Sequence, residues 1–332
     1  MNDLDWDHLP QTTMPPSTTV QVVGFDNEEG ANALGEAVLA VVSLAGSFID
    51  LSSLDGVTVA IDYDGALAEL DRGLPGLRPL TRSNTEEMQG VAMSPAVMRD
   101  GEVRTHIVLN AQMVAPSVAE QYGCDSTDKP MSVGIIAHEC AHVQITAEKE
   151  RLVPDARFGN VIEGYEHAVM FQIAEVLWDE YAACRLSGMF ARQQNEAHAS
   201  TVMATVVVAR DRSDDAIRRY RTHGNVDLLI VEAGPPLCAP VKAAAYLLGG
   251  MDADGLDWSN FKAVRNALEQ AGYADLIDNL YAELRRLWQT RSEWSPTLDV
   301  FSGLEAIAHE VFASGGLFFS TNEAGGCWVD VP

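Results

Sequence analysis

The sequence His138-Glu139-Cys140-Ala141-His142 is the feature that most restricts what this chain can form. Two histidines four positions apart lie on the same face of an α-helix, one turn from each other. Their imidazole nitrogens can bind one Zn²⁺ together, and Glu139 can reach a water molecule on that metal. A metal-activated water attacks carbonyl carbon at neutral pH, so the pattern indicates hydrolytic zinc chemistry.

The residues around this motif predict a buried helix. Apolar side chains lie on almost every face of it: Ile135, Ile136, Ala137, Cys140, Ala141, Val143 and Ile145. Ionisable groups in such a helix are costly unless they are paired or bound to a metal. We therefore expect His138 and His142 to be zinc ligands and Glu139 to be the general base.

A catalytic zinc site usually has three protein ligands, and the motif supplies two. The residues after His142 do not continue as the extended pattern H-x-x-G-x-x-H. A carboxylate from a later helix is the other common ligand, and a helical stretch is predicted at about residues 161–190. Its acidic residues are the candidates: Glu163, Glu166, Glu175, Asp179 and Glu180.

The helical face of each candidate favours Glu180. The residues three and four positions from Glu180 are all apolar: Val176, Leu177, Ala183 and Cys184. The corresponding residues around Glu175 are mixed: Phe171, Gln172, Trp178 and Asp179. A single carboxylate on an apolar stripe needs a partner, which zinc would provide. An ion pair with an arginine such as Arg185 is the alternative.

These segments resemble the gluzincin zinc metallopeptidases. The resemblance rests on His138-Glu139-Cys140-Ala141-His142 and on the later Trp178-Asp179-Glu180-Tyr181-Ala182-Ala183, and it covers about residues 105–187. In that family the downstream motif is typically Asn-Glu or Asp-Glu followed by small and aromatic residues. The resemblance implies that His138, His142 and Glu180 bind Zn²⁺, that Glu139 is the general base, and that the substrate is a peptide or protein.

We expect an α+β, zincin-like fold. A small α/β part with a mixed sheet and the HExxH helix would precede a mainly helical part. The predicted divisions are a poorly ordered lead-in at 1–19, the α/β part at 20–150, the helical part with the third ligand at 151–313, and a tail at 314–332 that docks on the body.

Individual elements follow from apolar spacing and turn residues. Strands are predicted at 20–25, 57–61, 90–98 and 103–109, and helices at 30–47, 197–210, 214–222, 240–248, 258–270 and 273–291. Gly234-Pro235-Pro236 is expected to separate elements, because proline interrupts a helix. The segment His106–Asn110 is a candidate for a sheet edge that binds substrate, or equally for an interior strand.

Composition restricts the partners and the cellular location. The chain has 48 acidic and 22 basic residues, a formal net charge of −26, which disfavours nucleic acid and anionic membrane as partners. The N-terminus is acidic where a secretory signal is basic, and the longest apolar stretch, 37–48, is shorter than the roughly 18 residues that span a bilayer. Five widely spaced cysteines form no disulfide framework. A reduced, cytoplasmic setting is expected.

Several parts of the mechanism stay open at the level of sequence. Six residues could stabilise an oxyanion, although a packing or surface role is favoured for each: Tyr165, His167, Tyr181, His198, Tyr220 and His223. The apolar tail could cover the active-site cleft. The rival to an enzyme is a metal-stabilised binding or regulatory protein with the same fold and little turnover.

Overall fold

The structure, a computed structural model, describes residues 8–82, 84–322 and 326–332. It has the predicted α+β architecture, with a small mixed sheet and a larger helical part. The sheet contains β1 (Val20–Val23), β2 (Leu54–Ala60), β3 (Ala92–Met93), β4 (Ala96–Arg99) and β5 (Glu102–Asn110).

The strand β5 lies inside this sheet. It pairs with β2 in parallel on one side and with β3 and β4 in antiparallel orientation on the other. The suggestion that His106–Asn110 forms the edge is therefore wrong, and the interior alternative is confirmed. The strand predicted at 90–98 is found as β3 and β4, which pair with β5 in one register and are interrupted only at Ser94-Pro95. Proline has no N–H for a ladder, whereas the Pro95 carbonyl still accepts from the His106 N–H at 3.0 Å.

Ten α-helices are found in the described part of the chain. They are α1 (Glu28–Ala45), α2 (Tyr63–Glu69), α3 (Ala111–Val114), α4 (Lys129–Leu152), α5 (Tyr165–Ala191), α6 (Gln194–His223), α7 (Val226–Asp254), α8 (Lys262–Gln270), α9 (Ala274–Thr290) and α10 (Ser302–Ser314). The Asn27 side chain caps α1, since it accepts from the backbone N–H groups of Glu29 and Gly30. The HExxH helix is α4, and it ends just before Val153-Pro154.

Two later helices are longer than predicted. The helix α6 continues through 211–213, where a break was expected, and α7 contains Pro235, Pro236 and Pro240 in its interior. Pro235 and Pro236 leave the carbonyls of Val231 and Glu232 without their usual helical donors, at a point where the Val231 side chain is 69% exposed. Because most residues of α7 after Ala233 are buried, packing outweighs the cost of the prolines.

The helix α7 is also relevant to the expected cytoplasmic location of the protein. Among the described residues, α7 has the length and apolar composition that a membrane-spanning helix needs. However, 56% of its apolar window is buried inside the protein, as in the core helix of a globular domain. The feature is therefore weak evidence for a membrane.

The end of the chain forms a hairpin rather than an irregular tail. The strands β6 (Phe318–Thr321) and β7 (Cys327–Asp330) pair antiparallel, and residues 323–325 between them lie outside the described part. The Phe319 ring lies 4.9 Å from the Phe312 ring of α10, and Leu317 is buried. The predicted lead-in lies partly outside the described residues, at 1–7; further along, the Thr13 hydroxyl donates to the Gly46 and Ile49 carbonyls.

The described residues divide into two compact units. The first unit comprises the described residues up to Asn84, together with Gln89–Arg151 and Ala183–Gln194. It contains the sheet, α1 and α4. The second comprises Thr85–Met88, Leu152–Ala182 and the described residues from Asn195 onward, and it is mainly helical. The continuous helix α5 contributes its first turns to the second unit and its last turns to the first.

Candidate metal centre

The two histidines of the motif point their ring nitrogens at each other. The distance between His138 Nε2 and His142 Nε2 is 3.1 Å, and the ring planes are at 85°. Two nitrogens on one tetrahedral Zn²⁺ are about 3.3 Å apart, so the separation suits a shared metal. Both side chains are half-buried, whereas Ile136, Ala137 and Cys140 on the same helix are fully buried.

The ring of His138 is held from its other side by Cys184. The distance from Cys184 Sγ to His138 Nδ1 is 3.7 Å. If Nδ1–H donates to the sulfur, the Nε2 lone pair is left for a metal, as in zinc sites whose histidines have outer partners. Cys140 makes no such contact with the motif histidines in the described part of the chain; it is fully buried, and burial raises the pKa of its thiol.

Glu180 lies one helical turn before Cys184 on α5. Its carboxylate, His138 and His142 each offer one ligand atom, and these three atoms lie within 4.8 Å of one another. The donor set is two imidazole nitrogens and one carboxylate oxygen, which is a set that catalytic zinc sites use. The three side chains chosen from the sequence are therefore brought together.

Glu180 also has a cationic neighbour that the sequence did not suggest. The distance between Lys242 Nζ on α7 and Glu180 Oε1 is 3.2 Å, and the two side chains are 25% and 12% exposed. The Lys242 ammonium also lies 5.9 Å from the centre of the Tyr246 ring. The carboxylate is thus in an ion pair of the kind weighed as the alternative to a zinc ligand, with a lysine as the cation.

The other acidic candidates differ in their surroundings. Glu163 precedes α5 and is exposed. Glu166 is engaged by the C-terminal hairpin, since its Oε2 accepts from the Thr321 hydroxyl. Glu175 is half-buried, although its mixed face had suggested a position in solvent.

The carboxylate of Glu139 is buried beside the edge strand of the sheet, where β3 and β4 meet. Glu139 is 6% exposed. The Ser94 hydroxyl lies 2.6 Å from Glu139 Oε2 and 3.1 Å from the Glu139 carbonyl oxygen. Burial, and then the charge of Glu139, raise the pKa of Tyr63. The proposed base is thus held by a neutral donor from the Ser94-Pro95 interruption between β3 and β4.

Most of the six oxyanion candidates have other partners. His167 Nε2 lies 3.5 Å from Glu305, the Tyr181 hydroxyl donates to Asp252, and His223 Nδ1 accepts from the Asn225 N–H. Tyr220 is in ring contact with His223, and Tyr165 is 42% exposed. The remaining candidate, His198, has its ring 5.3 Å from that of Tyr246, the residue next to Lys242 in space.

Three residues near the site were missed by sequence reasoning: Ser94, Tyr63 and Lys242. Pro95 was a usable signal for Ser94, because a proline inside a predicted strand indicates an interruption. Lys242 is one of only four lysines and stands in an apolar stretch, which also marks it. Tyr63 offers no local signal.

No family model, no curated protein and no solved structure matches this chain.

Proposed function

We propose that this protein is a zinc-dependent metallopeptidase of the gluzincin type, with a zincin-like fold. His138, His142 and Glu180 would hold the metal, and Glu139 would be the general base. The observation that carries this proposal is the convergence of the three ligand atoms within 4.8 Å, with the histidine nitrogens 3.1 Å apart. An arrangement of two imidazoles and a carboxylate leaves a position for substrate or water.

Zinc in this position would supply Lewis acidity, which makes water nucleophilic near neutral pH and polarises a carbonyl. Glu139 follows His138 directly on α4, and its carboxylate is held in a mostly buried setting. It takes a proton from the attacking water as the new C–O bond forms. It then gives this proton to the amide nitrogen as the C–N bond breaks, so the products are a carboxylic acid and an amine.

The edge of the sheet supports a peptide as the substrate. The strands β3 and β4 form the outer antiparallel edge beside β5, and the residue between them, Ser94, contacts Glu139. An extended peptide can pair with such an edge through its backbone, which would bring a scissile bond close to the base. Substrate binding is thus proposed for β3 and β4, and not for β5 as the sequence suggested.

The test is Glu139→Gln compared with Glu148→Gln on the same helix. Glu148 accepts from the Gln144 side chain and has no proposed role. We expect about one zinc per chain in wild type and both variants, because neither residue is a ligand. Glu139→Gln should lose most cleavage of a peptide library, by about 100-fold or more, while Glu148→Gln keeps it. Elemental analysis and peptide mass spectrometry measure the two properties.

The Lys242–Glu180 ion pair favours the second candidate function, a metal-stabilised binding protein with little turnover. The same experiment separates the two functions. Wild-type protein that holds zinc and cleaves no peptide supports the binding protein. Protein that takes up no zinc on titration contradicts both.

A further inference from the structure

We propose that Ser94 is a positioning residue for the general base Glu139, an inference that rests on the proposed function. The Ser94 hydroxyl has a single proton and two acceptors within reach. Glu139 Oε2 is the closer of them, at 2.6 Å against 3.1 Å for the Glu139 carbonyl oxygen. A separation of 2.6 Å is within the normal range of an O–H···O hydrogen bond, so the hydroxyl donates to Oε2.

The backbone around Ser94 is fixed on both sides. Met93 pairs with Val108 of β5, and the buried Pro95 accepts through its carbonyl from the His106 N–H. The Ser94 side chain therefore starts from a rigid part of the sheet and not from a free loop. A donor on a rigid element can hold a carboxylate in one rotamer.

This contact gives the two carboxylate oxygens of Glu139 different roles. Ser94 engages Oε2, so Oε1 is the oxygen that exchanges the proton with water and with the leaving amine. Because the same hydroxyl approaches the Glu139 backbone, it fixes the side chain relative to the helix that carries the two histidines. Ser94 itself contacts no reacting atom in this scheme, so its effect passes through Glu139.

The test compares Ser94→Ala with Ser53→Ala. Ser53 is the matched control, because its hydroxyl also donates to the backbone of α4, at the Val143 carbonyl, 3.4 Å away. We expect Ser94→Ala to lower kcat about 10-fold or more, with KM and zinc affinity within about twofold of wild type. Ser94→Thr, which keeps the hydroxyl, should recover part of the loss. Ser53→Ala should leave kcat unchanged.

A double-mutant cycle with Glu139→Gln decides whether the effect passes through the base. If Ser94 positions Glu139, adding Ser94→Ala to Glu139→Gln changes the residual rate little. An equal loss of kcat in both backgrounds, or equal losses for Ser94→Ala and Ser53→Ala, contradicts the positioning role. If zinc-loaded wild type has no turnover, the proposed function is contradicted, and the role of Ser94 fails with it. If wild type is active and Ser94→Ala is as active as wild type, only the role of Ser94 is contradicted.

Discussion

At the scale of single residues, Glu180 takes part in both an ion pair and the proposed metal site. Its carboxylate oxygen Oε1 is 3.2 Å from the Lys242 ammonium, and the same side chain completes the group with His138 and His142. A buried carboxylate needs a cation, and the ion pair satisfies that need when no metal is bound. Zn²⁺ bound as proposed would therefore compete with the ammonium for one carboxylate, and each would repel the other.

This competition predicts that Lys242→Met binds zinc more tightly than wild type, by about 10-fold. Two like charges about 4 Å apart repel by several kcal/mol at a partly buried site, and part of this is offset when the side chains rearrange. Competition with a chelator measures the affinity. Lys262→Met, which removes an exposed lysine, controls for the change in net charge. Weaker zinc binding in Lys242→Met contradicts the competition.

At the scale of elements, Asp252 joins three helices of the second unit. It lies near the end of α7 and is 5% exposed. Its carboxylate accepts from the Tyr181 hydroxyl of α5, from the Tyr281 hydroxyl of α9 at 2.6 Å, and from the Arg285 guanidinium. Tyr181 directly follows Glu180 on α5, so this network also fixes the helix that supplies the proposed third ligand.

We predict that Asp252→Ala lowers the free energy of unfolding by about 2 kcal/mol, because it removes the acceptor of the buried Tyr181 hydroxyl and of the half-buried Tyr281 hydroxyl, whereas the half-exposed Arg285 guanidinium can turn to water. Thermal or urea unfolding of the metal-free protein measures the change. Asp278→Ala is the control, since its ion pair with Arg265 is on the surface and should contribute at most about 1 kcal/mol. Equal losses in the two variants contradict the role of Asp252.

The elements also explain how far the sequence could predict the site. The helix α4 and the cap at Asn27 depend on local patterns, namely apolar spacing and a side-chain acceptor, and both were predictable. The extent of α7 was not predictable, because its prolines disfavour a helix locally. Only burial in the folded chain offsets their cost. The lysine at 242 could be placed beside Glu180 only by that long-range packing.

At the scale of the whole molecule, the net charge of −26 is the dominant property. Many of the arginines are already paired with acids, as in the contact of Arg212 with Glu86 and Glu87. The excess acidic side chains repel one another across the surface, which lowers the stability of the compact state. The Debye length falls from about 10 Å at 0.1 M salt to about 3 Å at 1 M, so salt screens this repulsion.

We therefore predict that Tm rises by several degrees between about 0.1 M and 1 M sodium chloride. Differential scanning calorimetry of the metal-free protein measures the shift. An uncharged osmolyte at equal osmolality controls for preferential exclusion, which stabilises without screening charge. A fall in Tm with salt would mean that attractive ion pairs outweigh the net repulsion.

Zinc affinity in three variants of α5 tests the proposed metal site most directly. Glu175 is five positions before Glu180, about 140° around the helix, and Asp179 is about 100° away, so neither can replace Glu180 on a regular helix. Competition with a chelator at one pH should show Glu180→Ala weakened by about 100-fold or more, Glu175→Ala within about threefold of wild type, and Asp179→Ala only mildly affected. Loss of zinc from Glu175→Ala, with zinc retained by Glu180→Ala, would contradict the site formed by His138, His142 and Glu180.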